Sequence, residues 1–223
     1  MKMIDVVIPA AGVGKRMNCS VPKQYLKLCG KTIIEHTIEK ILQIKNLGNI
    51  FVVIGENDDY FEELKFKSNV ISVHGGAERS DSVLNGIKAA KTEFVLIHDA
   101  ARPCVNIEDI NKLISTSMDD NGGILARRVC DTMKRANDDC NILETISRAN
   151  LFHALTPQLF KRTLLIDAYS KSIANGILVT DEASAMEYMG YHPKLILSSP
   201  VNIKITEPLD IKLAELFIKN NFS

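Results

Sequence analysis

Apolar residues recur along this chain in two rhythms. Short, nearly continuous runs at Val6-Val7-Ile8, Ile50 to Ile54, Val70 to Val73 and Phe94 to Ile97 read as buried strands. Between them, apolar positions fall three and four residues apart, which predicts helices. Thr32 to Ile44 carries Ile33, Ile34, Ile38, Ile41, Leu42 and Ile44, and Ser80 to Ala90 carries Val83, Leu84 and Ile87. Thr32 and Glu35 form a capping box that opens the first of these helices. Further helices are expected over Asp58 to Phe66 and Ile107 to Thr116, and a short strand over Gly123 to Ala126. Alternating β and α segments with continuous apolar strands predict an α/β fold. Its central sheet is mostly parallel, with helices on both faces, as in Rossmann-like proteins.

The rhythm changes after Ala126. Arg128 to Arg135 and Asn141 to Arg148 read as two extended arms joined by a turn at Asn137-Asp138-Asp139. With so few apolar residues this segment cannot form a core of its own. A projecting β-arm that packs on a second copy of the chain accounts for it, as does a surface excursion. Helices over Leu164 to Ile173 and Asp181 to Met189 follow, then a strand over Pro193 to Leu197. Glu207 to Ile218 closes the chain as an amphipathic helix expected to turn Leu209, Leu213, Leu216 and Phe217 inward.

Composition narrows the class. The 223 residues are 46% hydrophobic and 24% charged, the balance of an ordinary globular protein, and suit one large domain or two small ones. Lys+Arg and Asp+Glu both number 27, and this neutrality argues against a general nucleic-acid binder. The five cysteines form no C-x-x-C pair, so free thiols in a reducing compartment are expected. No apolar run approaches the roughly 18 residues of a membrane span, and the opening residues enter a strand directly. A cytoplasmic protein is the expectation.

Candidate chemistry gathers at the ends of the predicted strands, where open α/β sheets bind ligands. Pro9-Ala-Ala-Gly-Val-Gly-Lys-Arg-Met17 follows the first strand with an almost bare backbone, able to approach phosphate closely. It fails the dinucleotide fingerprint, because Met17 stands at the third glycine position. It also fails the P-loop, with Pro9 at the leading glycine and Arg16 at the Ser/Thr position. Lys15, Arg16 and Lys23 supply cations nearby. A glycine turn with no ligand is the plain alternative.

Gly75-Gly-Ala-Glu-Arg-Ser-Asp-Ser-Val83 makes a second bare turn, with Ser80 the expected N-cap of the helix after it. His98-Asp-Ala-Ala-Arg-Pro103 ends the fourth strand. Asp99 there suits Mg²⁺ shared with phosphate oxygens, and Arg102 suits bidentate recognition of an anion. Standing alone, this motif reads better as an Asp–Arg pair that shapes a turn, and His98 reads as a packed, hydrogen-bonded histidine. Thr132, Arg148, Thr156, Thr180 and Lys204 are further candidates, each open to a surface or capping role. Thr180 has the look of an N-cap. Lys204 stands out between Ile203 and Ile205.

Taken together, PAAGVGKRM, PKQY, GGAERSDSV, HDAARP, DTMKR, HALTPQ, TDEAS and NIKIT occur in order from about Val6 to Leu216. This set resembles the 2-C-methyl-D-erythritol 4-phosphate cytidylyltransferase family. The related ribitol-5-phosphate enzymes more typically show A-G-G in place of Pro9-Ala-Ala-Gly12. The resemblance implies a single nucleotidyltransferase domain over residues 1–223, and a homodimer joined through an arm at about 128–148. It implies CTP and 2-C-methyl-D-erythritol 4-phosphate as substrates, Mg²⁺ as cofactor, and a cytidine diphosphate derivative with pyrophosphate as products. By motif position it implies that Arg16 and Lys23 stabilise the transition state and that Arg148 and Lys204 orient the attacking phosphate. Pro9, Ala10, Ala11, Gly12, Gly14, Gly76, Ser82 and Ala100 fall in the CTP site. Asp99 lies by the metal, and Arg102, Thr132, Thr156 and Thr180 position the acceptor, Thr132 from the neighbouring subunit. Two departures are Ala77, where an acidic residue often follows the glycines, and Glu207, where a basic residue is common.

A phosphate monoester acceptor, with a second pKa near about 6, needs no general base at neutral pH. The catalytic task is then to bring two anions together and stabilise charge on the transferred group. Alternatives are a cytidylyltransferase for another polyol phosphate, an NAD-dependent oxidoreductase, and a nucleotide sensor that releases no pyrophosphate.

Overall fold

The computed structural model describes residues 2–12, 21–66 and 68–222. Seven strands form the central sheet: β1 (Ile4–Pro9), β4 (Leu47–Ile54), β5 (Val70–His74), β6 (Phe94–Ile97), β7 (Gly123–Arg128), β10 (Phe152–Lys161) and β11 (Lys194–Leu197). Their order across the sheet is β11-β7-β10-β6-β1-β4-β5. Every neighbouring pair is parallel except the two that involve β10, which runs against both β6 and β7. The mostly parallel sheet is therefore as expected, but β10 was not foreseen.

Successive strand side chains point to opposite faces, so each strand feeds two cores. Val6, Ile8, Val52 and Leu96 pack on one side with Ile34, Ile38 and Ile41 of α1 (Ile33–Ile41) and Ile110 and Leu113 of α4 (Ile107–Ser117). Val7, Val53, Val95 and Ile97 pack on the other side. Their partners there are Val83 and Ile87 of α3 (Arg79–Ala89), Leu165, Ala168 and Tyr169 of α5 (Arg162–Ala174), and Met186 of α6 (Glu182–Tyr188). The two layers of helices cover an apolar sheet on both faces, as continuous apolar strands require. Gly86 lets α3 lie close to the sheet, because a Cβ there would meet Val7 Cγ1 at 2.4 Å.

Local chemistry sets several boundaries. Thr32 caps α1 with the reciprocal Glu35 box. The helix before Val70 is shorter than its pattern suggests: α2 covers only Asp59–Glu62. Glu78, not Ser80, stands at the N-cap of α3, with Asp81 closing the box. Asp181, not Thr180, caps α6 by accepting from the Ser184 N–H. In α7 (Pro208–Lys219) the expected inward face is reversed for three residues. Ala214 is buried and Ile211, Phe217 and Ile218 pack on the core, while Leu209, Leu213 and Leu216 are exposed. Short strands β2 (Lys27–Leu28) and β3 (Lys31–Thr32) pair with each other ahead of α1.

The arm forms as β8 (Met133–Ala136) and β9 (Ile142–Ile146), which pair antiparallel with each other and, among the described residues, join no other sheet. Ile142 and Leu143 are 64% and 63% exposed, unusual for large apolar side chains.

Candidate functional site

The carboxyl ends of β1, β5 and β6 open into one cleft. Its walls include Pro9, Ala10, Ala11 and Gly12 after β1, and Gly76 to Arg79 with Ser82 after β5. Asp99 and Ala100 after β6, and Lys23, Gln24 and Lys204, complete it. Its volume is about 220 Å³. Backbone hydrogen bonds hold the rim. Ala10 N–H donates to Val53 O at 2.7 Å and Gly75 N–H to Ile54 O at 2.8 Å. Gly76 N–H donates to Ser82 Oγ at 3.1 Å, so the serine is already engaged with the glycine turn. Gln24 Nε2 donates to Ala10 O at 2.6 Å, fixing the start of the bare loop from below. Lys23 Nζ donates to Ile205 O at 3.0 Å, which brings the loop side against the segment that carries Lys204.

Asp99 is the electrostatic hub. Its Oδ2 lies 2.9 Å from Lys204 Nζ and 3.2 Å from Arg102 Nε, and its Oδ1 lies 3.4 Å from Arg79 Nη2. Burial alone would raise its pKa. The Lys204 ammonium, with Arg79 and Arg102, overrides burial and holds the carboxyl well below the usual range. Asp99 is thus an anion at any working pH.

The backbone of this turn is locked by a buried network. His98 is fully buried, with Nε2 3.1 Å from Arg102 O and Nδ1 3.1 Å from Thr156 Oγ1. Burial pushes its pKa down to about 4, so the ring is neutral. A carbonyl can only accept, so Nε2 carries the proton and Nδ1 accepts from the Thr156 hydroxyl. Thr156 Oγ1 in turn accepts from Asp99 N–H at 3.0 Å. With both ring nitrogens engaged, His98 is not placed to act as a base, in line with its sequence reading. Arg102 Nη1 donates to Asn202 O at 3.0 Å, and Asn202 Nδ2 donates to Thr156 O at 2.9 Å.

The sequence candidates therefore fall into four groups. Pro9, Ala10, Ala11, Gly12, Lys23, Gly76, Ser82, Asp99, Ala100 and Lys204 line one cleft. Gly14 and Arg16 lie outside the described residues. Arg102 and Thr156 lie beneath the cleft, 7% and 5% exposed, where they hold Asp99 in place. Thr132, Arg148 and Thr180 are exposed and do not line the cleft of this chain. Arg148 Nη1 donates to Cys130 O at the base of the arm.

Arg79, Gln24 and Glu182 were not assigned roles from sequence. Arg79 did carry a signal: a cation in the first turn of a helix opposes the dipole and needs an anion to explain it. It has two, because its Nη1 also lies 3.0 Å from Glu182 Oε1. The Glu182 charge, followed by Asp99, raises the Arg79 pKa further above its ordinary value.

The donor set suits one kind of metal site. Among the described residues no three His, Cys, Asp or Glu side chains cluster as ligands. Asp99 offers a single ionised carboxylate already shared with three cations. That fits Mg²⁺ carried in by phosphate oxygens and water, with at most one protein carboxylate, and not an ion held by the protein alone.

Three comparisons bear on this site. A family model described as 2-C-methyl-D-erythritol 4-phosphate cytidylyltransferase matches residues 4–220. The protein of that name from Alteromonas mediterranea is 50% identical over 225 residues, spanning 99% of this chain and 94% of the relative. The Vibrio atlanticus protein of the same name is 47% identical, over 99% of this chain and 97% of the relative. Among solved structures, one titled as a 4-diphosphocytidyl-2C-methyl-D-erythritol synthase superposes with a TM-score of 0.84 at 32% identity. It covers 98% of this chain and all of its own. The Francisella tularensis 2-C-methyl-D-erythritol 4-phosphate cytidylyltransferase superposes with a TM-score of 0.83 at 36% identity, over 96% of this chain and 99% of its own.

Proposed function

The chain belongs to the 2-C-methyl-D-erythritol 4-phosphate cytidylyltransferase family, and from that we propose that it condenses CTP with 2-C-methyl-D-erythritol 4-phosphate. The products are 4-diphosphocytidyl-2-C-methyl-D-erythritol and pyrophosphate, in isoprenoid precursor synthesis. One observation supports this reading above the others: the bare backbone after β1, the paired glycines after β5 and the Asp99–Lys204 pair share a single cleft. The first two give unhindered N–H groups for a nucleoside triphosphate. The third supplies charge where a second phosphate would approach.

The acceptor phosphate is largely dianionic at pH 7, its second pKa being about 6. One of its oxygens attacks the α-phosphorus of CTP in line. A new P–O bond forms, the bond to the bridging oxygen of the β-phosphate breaks, and its electron pair leaves with pyrophosphate. No proton needs to be removed, and His98, neutral and fully engaged, need not remove one. The remaining difficulty is repulsion between anions and charge on the transferred group. Lys23 on the loop side meets the triphosphate, with Arg16 expected beside it. Lys204 meets the acceptor phosphate, and Asp99 holds Lys204 while still presenting an anionic edge. Mg²⁺ is the proposed cofactor, held by the triphosphate with Asp99 alongside, and it would neutralise phosphate charge.

We further propose that residues 1–223 act as one unit in a cytoplasmic homodimer. The arm at about 128–148 would then carry Thr132 and Arg148 to the partner's cleft. The exposed Met133, Ile142 and Leu143 support this, and Thr132 and Arg148 are not among the residues that line the cleft of their own chain. Among the described residues no helix is long and apolar enough to cross a membrane.

The test is pyrophosphate release with Mg²⁺, crossing the four nucleoside triphosphates with methylerythritol phosphate and ribitol phosphate. Release confined to CTP with methylerythritol phosphate is the expected result. Equal release with ribitol phosphate would overturn the acceptor, and none with any pair would overturn the reaction.

A further inference from the structure

Glu182 is a wholly buried carboxylate with no role in the reaction as derived so far. Its Oε1 accepts from Tyr169 Oη at 3.0 Å and from Arg79 Nη1 at 3.0 Å, while its Oε2 has no hydrogen-bond partner among the described residues. A buried ion pair of this kind is a poor source of stability, since well-packed apolar residues serve as well or better. What the pair does provide is a guanidinium fixed in direction. Arg79 reaches across the floor between α3 and α6, and its second nitrogen, Nη2, lies 3.4 Å from Asp99 Oδ1. Asp99 Oδ2 lies 2.9 Å from Lys204 Nζ. Glu182, Arg79, Asp99 and Lys204 thus form a row of alternating charge. It runs from a side chain with no exposure to a lysine in the cleft whose side chain is 38% exposed. Each inner member is held from both sides by opposite charge.

We propose that Glu182 and Arg79 are positioning residues for the transfer reaction. Glu182 fixes the Arg79 guanidinium, Arg79 fixes Asp99, and Asp99 holds the Lys204 ammonium where the acceptor phosphate meets it. The inference rests on the reaction proposed above and adds to it a line of control that starts in the second helical layer. It makes an unobvious demand. Arg79 lines the nucleotide wall of the cleft, yet its disturbance should register on the acceptor.

The test compares wild type, Glu182→Gln, Arg79→Lys, Lys204→Ala and the Glu182→Gln/Lys204→Ala double variant. Steady-state constants are measured separately for CTP and acceptor, alongside thermal melting. Glu182→Gln keeps the shape and removes the charge. Arg79→Lys keeps the charge but cannot span two carboxylates. Each is expected to raise the acceptor KM and lower kcat, together reducing acceptor kcat/KM about tenfold to a hundredfold, with the CTP KM nearly unchanged. In the Lys204→Ala background the Glu182→Gln effect should disappear, because the two act through one ammonium. Additive effects in the double variant overturn the relay. So does an equal rise in both KM values with a lowered melting temperature, in either single variant. A wild type that releases no pyrophosphate overturns the reaction, and the relay falls with it. An active wild type with additive variants overturns the relay alone.

Discussion

Lys204 Nζ and Asp99 Oδ2 stand 2.9 Å apart, although 105 residues separate them in the chain, from 99 to 204. In the proposed reaction Lys204 is the cation that the acceptor phosphate meets first. Lys204→Ala should raise the acceptor KM and slow turnover, with kcat/KM falling on the order of 10²–10³. Wild-type acceptor kinetics in that variant would remove Lys204 from the site.

Lys23 lines the same cleft, tied to Ile205 O at 3.0 Å. A cation that meets charge growing on the transferred group should affect turnover more than binding. Lys23→Ala is expected to lower kcat about a hundredfold while the CTP KM moves little. The same split is expected for Arg16→Ala. A large rise in CTP KM at unchanged kcat would assign these residues to ground-state binding instead.

His98 carries a pH dependence of stability. Its folded pKa is about 4, against an ordinary value of 6.5 in the unfolded chain. Between these values the unfolded state binds a proton that the folded state does not, so stability rises with pH. The contribution is complete above about pH 6.5 and is lost as pH falls towards 4, for a total of about 3 kcal/mol. Urea unfolding from pH 7.5 to 4.5 should show this slope. A His98→Gln variant should lose that component, and an unchanged slope would contradict the assignment.

Gly86 illustrates a helix position where the better helix former should fail. Alanine favours a helix by about 1 kcal/mol over glycine. At Gly86 its Cβ would meet Val7 Cγ1 at 2.4 Å and Val53 Cγ2 at 2.8 Å. Overpacking of this kind costs about 1–3 kcal/mol, so Gly86→Ala should be net destabilising by roughly 1 kcal/mol. Chemical unfolding reads it directly, and a stabilised variant would show that α3 can move off the sheet.

The arm offers a test by removal. Replacing Asp131 to Ile146 with a short turn deletes strands that, among the described residues, pair only with each other, so the central sheet should persist. Gel filtration should report a monomer, far-UV dichroism a folded one, and the assay poor acceptor use. A deletion variant that remains fully active would separate the arm from the reaction.

The continuous apolar runs of β1, β4 and β6 made the sheet legible, since only a strand buried on both faces reads that way. β10 was hidden by its own composition. Pro157 and Gln158 interrupt its pattern, and a proline argues against a central strand. The sheet accommodates them through a register shift against β7 between Ala154 and Gln158. The face of α7 misled because two apolar stripes compete, and Ile211, Phe217 and Ile218 won the core over the leucines. At the site, residues at strand ends could be picked out because loops there carry ligands. The Arg79–Glu182 pair could not, because 103 residues separate its members and neither flanking pattern points to the other.

The reversed strand also governs how far apart the chain's excursions can begin and end. A parallel crossover returns a chain to the amino edge of the sheet, away from the cleft. Because β10 runs against β7, the chain leaves β7 and enters β10 on the same side, the side where β6 ends at Asp99. Both roots of the arm are thereby planted on the reacting edge. A protein built this way can lend part of its reaction edge to a neighbour without threading a loop across the sheet.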